Sequence, residues 1–294
     1  MMRRYSIMSR KIKQHGLLII ALLACVAVGC TAGAAFSESL SADQIIQKNI
    51  AARGGAQAWQ GIRSMKLTGK MDAGSKNNAQ LPFVLKLQRP RKSRLEIEFA
   101  GSTALQIYDG ENGWKVRPFL GRVQVEPYTP EEIQIAAEQA DLDGLLIDHD
   151  AKGIAVELAG EEPVENRNTY KLKITMKDGQ VRNLWVDAQT FLEVKIEGSP
   201  RKLDGKMHAV ETYYRDYRKV NGVTVPFLME TAVEKVKTVH KIVFESVVLN
   251  PTLESNAFLR PDVRGMKPAT GLAAGTALIR PAESKPLANS ARSN

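Results

Sequence analysis

Between Met65 and Val248 the chain alternates. "MKLTGKM" sets Met65, Leu67, Gly69 and Met71 against polar neighbours, and "LPFVLKLQRP" puts Leu81, Phe83, Leu85 and Leu87 on one side. "RLEIEF" opposes Leu95, Ile97 and Phe99 to Arg94, Glu96 and Glu98, and "TALQIYDG" carries Ile107 toward the same apolar set. "YKLKITMKDG" opposes Tyr170, Leu172, Ile174 and Met176 to Lys171, Lys173, Thr175 and Lys177, and "FLEVKIEG" repeats the pattern with Leu192, Val194 and Ile196. A period of two marks strands with one wet and one dry face. Asp109-Gly110, Asp178-Gly179, Asp204-Gly205 and Asn221-Gly222 stand between such runs and offer positive φ, so neighbouring strands pair as antiparallel hairpins. The pattern predicts about eleven strands.

Helical spacing occurs in two places. Ser41, with Gln44 three residues on, forms a capping box ahead of Ile45, Ile46, Asn49 and Ile50, and Gly54-Gly55 ends that helix. "AQAWQGI" adds a turn with Trp59 and Ile62 on its apolar side. Thr129-Pro130-Glu131-Glu132 then supplies an N-cap, a proline at the first helical position and an acidic first turn. Ile133, Ala136, Ala137 and Ala140 follow as a narrow apolar stripe before Gly144.

Two short helices are little cover for so many dry strand faces. Long, successive, hairpin-linked strands twist and curl rather than stack as a sandwich. The expected fold is mainly β with a helical lid (α+β): an incomplete antiparallel β-barrel of about eleven strands over a hydrophobic cavity. Hydrocarbon is the natural occupant, because each buried methylene is worth about 0.8 kcal/mol. Met65, Met71, Met176, Met207 and Met229 suit an adaptable wall, although any one of them could equally fill a dry core. The hairpin from Tyr213 to Glu230 reads as wall. Asp216 and Arg218 make a modest surface pair, and Pro226 marks an edge or bulged strand.

"LQRPRKSRLEIEFAGSTALQIYDGENGWKVRPF", Leu87 to Phe119, resembles the outer-membrane lipoprotein-sorting proteins of the LolA/LolB-like superfamily: an Arg-Pro after a strand, an amphipathic strand, then a "DG…W…PF" hairpin. "LWVDAQTFLEVKIEG" and "DYRKVNGVTVPF" are similar to later strands of that group, and the likeness runs over most of residues 41–261. The resemblance implies an eleven-stranded incomplete barrel that binds acyl chains of lipoproteins or phospholipids. The implied cavity wall is Met65, Leu67, Leu85, Leu87, Leu95, Ile97, Phe99, Ile107, Leu172 and Ile174. It also implies a lid of Ile133, Ala136, Ala137 and Ala140 tethered by Arg89, whose guanidinium can donate to several carbonyls at a helix end. The alternative for Arg89 is a solvated edge-strand residue. Trp114, Pro118 and Phe119 match the hairpin leading to the lid; Tyr108 and Trp114 could instead be a cross-strand aromatic pair. The implied role is that of a lipoprotein carrier or receptor. Relatives used as envelope-stress sensors leave a regulatory interaction module on the same fold as the alternative, with an inner- or outer-membrane protein as partner.

The first 36 residues read as an address. Arg3, Arg4, Arg10, Lys11 and Lys13 precede the apolar run "GLLIIALLACVAVGC" and the small residues "TAGAA", the order of a secretory signal peptide. "VAVGC" resembles a lipobox that would acylate Cys30; "LLAC" competes with it, and cleavage near Ala34 or Ala35 is the unlipidated alternative. The expected location is the periplasm, either soluble or anchored to the outer membrane. Both cysteines, Cys25 and Cys30, fall in this segment, so the body has neither disulfide nor thiol nucleophile.

A formal net charge of +9 suggests nucleic acid, but its distribution argues otherwise. Five positive charges of the excess lie in residues 1–30, and four lie in residues 264–294, a basic tail rich in Ala, Pro, Gly and Ser that reads as disordered. A near-neutral body has no stripe for phosphates. Residues 37–263, about 225 in number, are expected to form one monomeric domain. No catalytic constellation, metal site or cofactor motif is found: His149 lies between Asp148 and Asp150 in a polar loop, and His208 and His240 lie in strands where they could pair across the sheet. The expectation is a binding protein rather than an enzyme.

Overall fold

A computed structural model of the protein describes residues 40–72, 79–203 and 206–269. Residues 1–39, which include the expected signal peptide with Cys25 and Cys30, the Asp204-Gly205 turn and the chain from residue 270 lie outside the described residues. Helix α1 (Ala42–Ala52) starts at the Ser41–Gln44 capping box, and α2 (Ala56–Gln60) follows after Gly54-Gly55. Six strands come next: β1 (Ser64–Asp72), β2 (Gln80–Gln88), β3 (Lys92–Phe99), β4 (Ser102–Tyr108), β5 (Gly113–Val116) and β6 (Val125–Pro127). Helix α3 (Pro130–Gln139) and a turn-rich segment to Ile154 lead to seven more: β7 (Ala155–Glu161), β8 (Thr169–Thr175), β9 (Val181–Asp187), β10 (Glu193–Leu203), β11 (Lys206–Val220), β12 (Val223–Val233) and β13 (His240–Leu249).

All thirteen strands form one antiparallel sheet in the order β6-β5-β4-β3-β2-β1-β13-β12-β11-β10-β9-β8-β7. β6 and β7 are its two edges, so the sheet is open. The two strands beyond the expected eleven include β5 and β6, which at four and three residues are too short to show a period. Asn221 and Gly222 both take positive φ in the two-residue turn between β11 and β12. At Gly69 a Cβ would stand 1.9 Å from the Val243 carbonyl oxygen, where β1 and β13 shift register; only glycine lets the strands approach there.

Register decides which side chains share a face. Leu95, Leu85, Leu67 and Val247 stand in one row across four strands, and Ala104, Ile97, Phe83, Gly69 and Phe244 in the next. A third row runs Leu81, Met71, Ile242, Met229 and Tyr214. Thr212, Ile196, Leu184, Leu172 and Leu158 continue the same face toward β7.

Ile107 is not on it. It pairs with Arg94, not with Leu95, and is completely buried on the opposite face. A shift of one residue reverses every side chain of a strand, and the β3–β4 turn at Ala100-Gly101 sets that parity. The same pairing places Tyr108 opposite Gly113 and Trp114 opposite Ile107, so Tyr108 and Trp114 point to different faces and form no cross-strand pair. Pro226 lies in an interior strand: β12 pairs with β13 only from Leu228 to Thr231, so the missing N–H of Pro226 falls where no ladder bond is due.

Because β6 and β7 are opposite edges, the chain between them must cross the whole sheet. It does so as α3 and residues 141–154. Leu142 and Ile147 from this crossing join Trp59, Ile62, Met65, Leu67, Leu87 and Phe244 in one core cluster. Leu146 and Ile154 join Ile45 and Ile46 of α1 over Leu172, Ile174, Leu184 and Val186 in a second. The dry face is therefore filled in two places, by the crossing segment as well as by α1 and α2. The crossing segment supplies apolar side chains that helical periodicity does not reveal.

On the other face, Ala257 and Phe258 are buried, and the Ala257 carbonyl accepts from Arg94 Nη1 at 3.2 Å. The chain stays attached beyond Arg264: Ser102 Oγ donates to the Lys267 carbonyl at 2.6 Å, and Ala269 N donates to that of Pro118 at 3.2 Å.

Candidate functional site

Between the two plugs, the dry face keeps a strip of half-buried apolar side chains: Leu85, Leu95, Ile97 and Phe99 from β2 and β3, and Met229 and Ile242 from β12 and β13. Helix α3 packs on β3, β4 and β5 beside this strip. Its first turn is fixed by a reciprocal cap, with Thr129 Oγ1 accepting from Glu132 N at 3.2 Å and Glu132 Oε2 accepting from Thr129 N at 2.9 Å. Glu132 also takes Lys115 of β5, whose Nζ lies 2.5 Å from Oε1. At the other end Glu138 takes Arg182 of β9 at 2.7 Å, and Gln134 donates to Asp178 in the β8–β9 turn. Ala136 and Ala140 pack with Ile133, Ala137 and Tyr128 against Tyr108. The helix is thus tied to both halves of the open sheet.

Arg89 sits at the junction of α2 and the crossing segment. Its Nε donates to the Ile62 carbonyl at 2.8 Å, while one Nη donates to the Trp59 carbonyl at 3.1 Å and to Asp143 Oδ2 at 2.7 Å. Asp143, whose side chain is 2% exposed, also receives Lys152 Nζ at 2.6 Å. Lys152 bonds the Gly144 carbonyl at 2.5 Å and pairs with Asp141 at 3.1 Å. Arg53 stacks on the Trp59 ring at 4.4 Å and donates to the Asp143 carbonyl at 2.7 Å. The cluster locks residues 141–152 to α1, α2 and the end of β2. Beside it lies a pocket of about 310 Å³ lined by Arg63, Ser64, Gln88, Arg89, Pro251 and Leu253. That pocket, with its two arginines, lies apart from the apolar strip.

Burial pushes the Asp143 carboxyl up, but hydrogen bonds from Asp141, Lys152 and Arg89 outweigh it and hold the group well below the usual carboxylate range. Burial, and a hydrogen bond shared with Asp143, raise Asp141 instead. A depressed carboxyl stabilises the fold above its unfolded pKa of about 3.9, and that contribution is lost as pH falls through the folded value. The raised Asp141 has the opposite sign: its cost at neutral pH is relieved as pH falls through its own folded value. Asp143→Asn is expected to lower the melting temperature at neutral pH, with the gap to wild type closing below about pH 4. Thermal melts across that range measure it, and a gap that stays constant would remove Asp143 as the source.

The structure brings Met65, Leu67, Leu85, Leu87, Leu95, Ile97 and Phe99 together on one stretch of sheet. Leu172 and Ile174 lie under α1 in the separate cluster, and Ile107 is on the far face. Of the five methionines read as wall, Met207 is 61% exposed and is not part of it. Asp143, Lys152, Lys115, Glu132, Arg182 and Glu138 were missed by sequence reasoning, since ion pairs between distant elements leave no local pattern. His208 lies opposite Arg201 and His240 opposite Thr231, so the two histidines do not pair across the sheet. His149 Nδ1 stands 3.1 Å from the Ile154 carbonyl oxygen. Among the described residues no group of His, Cys, Asp and Glu stands where it could hold a metal.

This chain is an open antiparallel sheet whose two edge strands are joined by a segment crossing its dry face, and solved structures are similar to it in overall fold. A LolA superfamily protein from Nitrosomonas europaea superposes with a TM-score of 0.51 at 16% identity, covering 75% of this chain and 98% of that one. The fold is that of the LolA superfamily. A DUF1329 family protein from Desulfovibrio piger is also similar, with a TM-score of 0.51 at 14% identity over 74% of this chain and 96% of that one. No protein-family model and no curated protein matches the sequence. In this chain the crossing segment is held at Arg89, Lys115 and Arg182, three cations on three different strands or strand ends.

Proposed function

We propose that this protein binds acyl chains of lipids or lipoproteins along the strip formed by Leu85, Leu95, Ile97, Phe99, Met229 and Ile242, with α3 as the cover. The observation that carries the reading is that these six apolar side chains remain half-buried on the dry face, beside the core that Leu142 and Ile147 fill. Half-buried apolar side chains gathered from four strands on one face are surface kept for a partner. Long hydrocarbon fits it: every methylene laid down adds about 0.8 kcal/mol without a polar contact. Arg89 does not reach this cover, which is held by Lys115 and Arg182; it bonds the Trp59 and Ile62 carbonyls at α2 and, through Asp143, the segment that follows α3.

In this reading residues 1–36 direct export to the periplasm, residues 37–263 form the binding domain, and residues 264–294 are a basic extension. The protein serves lipoprotein sorting to the outer membrane, as a soluble carrier or, with Cys30 acylated, as an anchored receptor. It binds and does not catalyse. Mass spectrometry of lipids extracted from the exported protein tests this directly. Acylated species in near-stoichiometric amount are expected, and their absence, together with failure to bind a fluorescent fatty acid, would favour an interaction module instead.

A further inference from the structure

Among the described residues the most exposed large hydrophobic side chain is Met207, at the start of β11. Its neighbourhood is assembled from two chain reversals. The turn between β12 and β13 is held beside Lys206–Ala209 by Glu234 N donating to the Ala209 carbonyl at 2.8 Å, with the Glu234 carbonyl 3.1 Å from His208 Nδ1. Val236 N closes the turn on the Val233 carbonyl at 2.9 Å. The turn then runs Lys235-Val236-Lys237-Thr238-Val239, with Val236 36% and Val239 41% exposed. Lys206, Lys235 and Lys237 are all exposed; among the described residues of these reversals the one carboxylate is Glu234, which reaches Lys235 at 3.7 Å, while Asp204 lies outside the described residues. Neither Lys206 nor Lys237 forms an ion pair with a described residue.

We propose that Lys206, Met207 and the Lys235–Val239 turn form a docking rim for an anionic phospholipid bilayer. Methionine and valine side chains enter the boundary between headgroups and acyl chains, and the lysine stems follow them while the ammonium groups remain at the phosphates. The composition selects a bilayer over a protein partner. Lysine is depleted from the desolvated centre of protein interfaces, whereas each lysine near an anionic lipid surface contributes about 1 kcal/mol. Single apolar residues separated by lysines also give no continuous patch for a protein to cover. The rim closes the same β12–β13 hairpin that supplies Met229 and Ile242 to the apolar strip.

The test is co-sedimentation of the exported protein with vesicles of about one-quarter phosphatidylglycerol in phosphatidylcholine, and with phosphatidylcholine alone. Wild type is expected to partition onto the anionic vesicles and to be released by salt. The double variant Lys235→Gln, Lys237→Gln should bind them about tenfold or more weakly. Val236→Ser with Val239→Ser should weaken binding severalfold, with circular dichroism unchanged in both variants. Equal partitioning of wild type onto both vesicle types, or no partitioning at all, overturns the proposal. So does a lysine double variant that binds like wild type, since the basic residues 264–294 would then be the source of attraction.

Discussion

Ile97→Asp is expected to weaken acyl-chain binding by roughly thirtyfold, while Ile107→Ala leaves binding intact and destabilises the fold by about 3 kcal/mol. The two isoleucines lie on adjacent hairpin strands and look equivalent in the sequence. Register separates them. Ile97 stands on the dry face between Phe83 and Ala104, half-buried in the strip. A carboxylate there denies contact to two or three methylenes, about 2 kcal/mol of affinity. Ile107 stands opposite Arg94 and Trp114 on the other face with no exposed surface, so truncating it opens a cavity far from cargo. Displacement of a fluorescent fatty acid reads affinity and urea melts read stability, with Ile97→Leu as the volume-conserving control. Equal binding by Ile97→Asp and wild type would mean that acyl chains do not lie on this strip.

The second large effect is expected at Arg89. Removing its side chain leaves the Ile62 carbonyl without its donor, takes one donor from the Trp59 carbonyl, which keeps Ile62 N, and takes one of two cations from the buried Asp143. The combined cost is about 3 kcal/mol, or a fall in melting temperature of roughly 6–12 °C for a domain of this size. Arg89→Lys keeps the charge but loses the planar fork that serves three acceptors at once, and should recover only part of the loss. If Arg89→Ala melts with wild type, the guanidinium does not hold the crossing segment. A double-mutant cycle with Asp143→Asn isolates the charged contact from the two carbonyls.

Much of the architecture was legible because it is local. Strict alternation revealed the long strands, Asn221-Gly222 and its counterparts revealed the hairpins, and Ser41–Gln44 and Thr129–Glu132 marked where α1 and α3 begin. The strands β5 and β6 escaped because three or four residues cannot establish a period. The strip was half legible. Leu85, Leu95, Ile97 and Phe99 follow from alternation, but Met229 and Ile242 come from the other end of the sequence and join only because β13 pairs with β1. Ile107 was misplaced because parity across the β3–β4 turn depends on which residues the turn consumes.

The sequence by itself determined that this protein is a long run of one-sided strands with too few helices to cover them, since strand period and turn chemistry act over only a few neighbouring residues. Tertiary structure alone decided how that surface is covered. With β6 and β7 at opposite edges, the chain joining them must cross the dry face, and in crossing it buries Leu142, Leu146, Ile147 and Ile154. Ion pairs to Arg89, Lys115 and Arg182 then fix the crossing in place. Those partners lie between 17 and 54 residues apart or on separate hairpins, and only the closed register of the sheet brings such charges within reach.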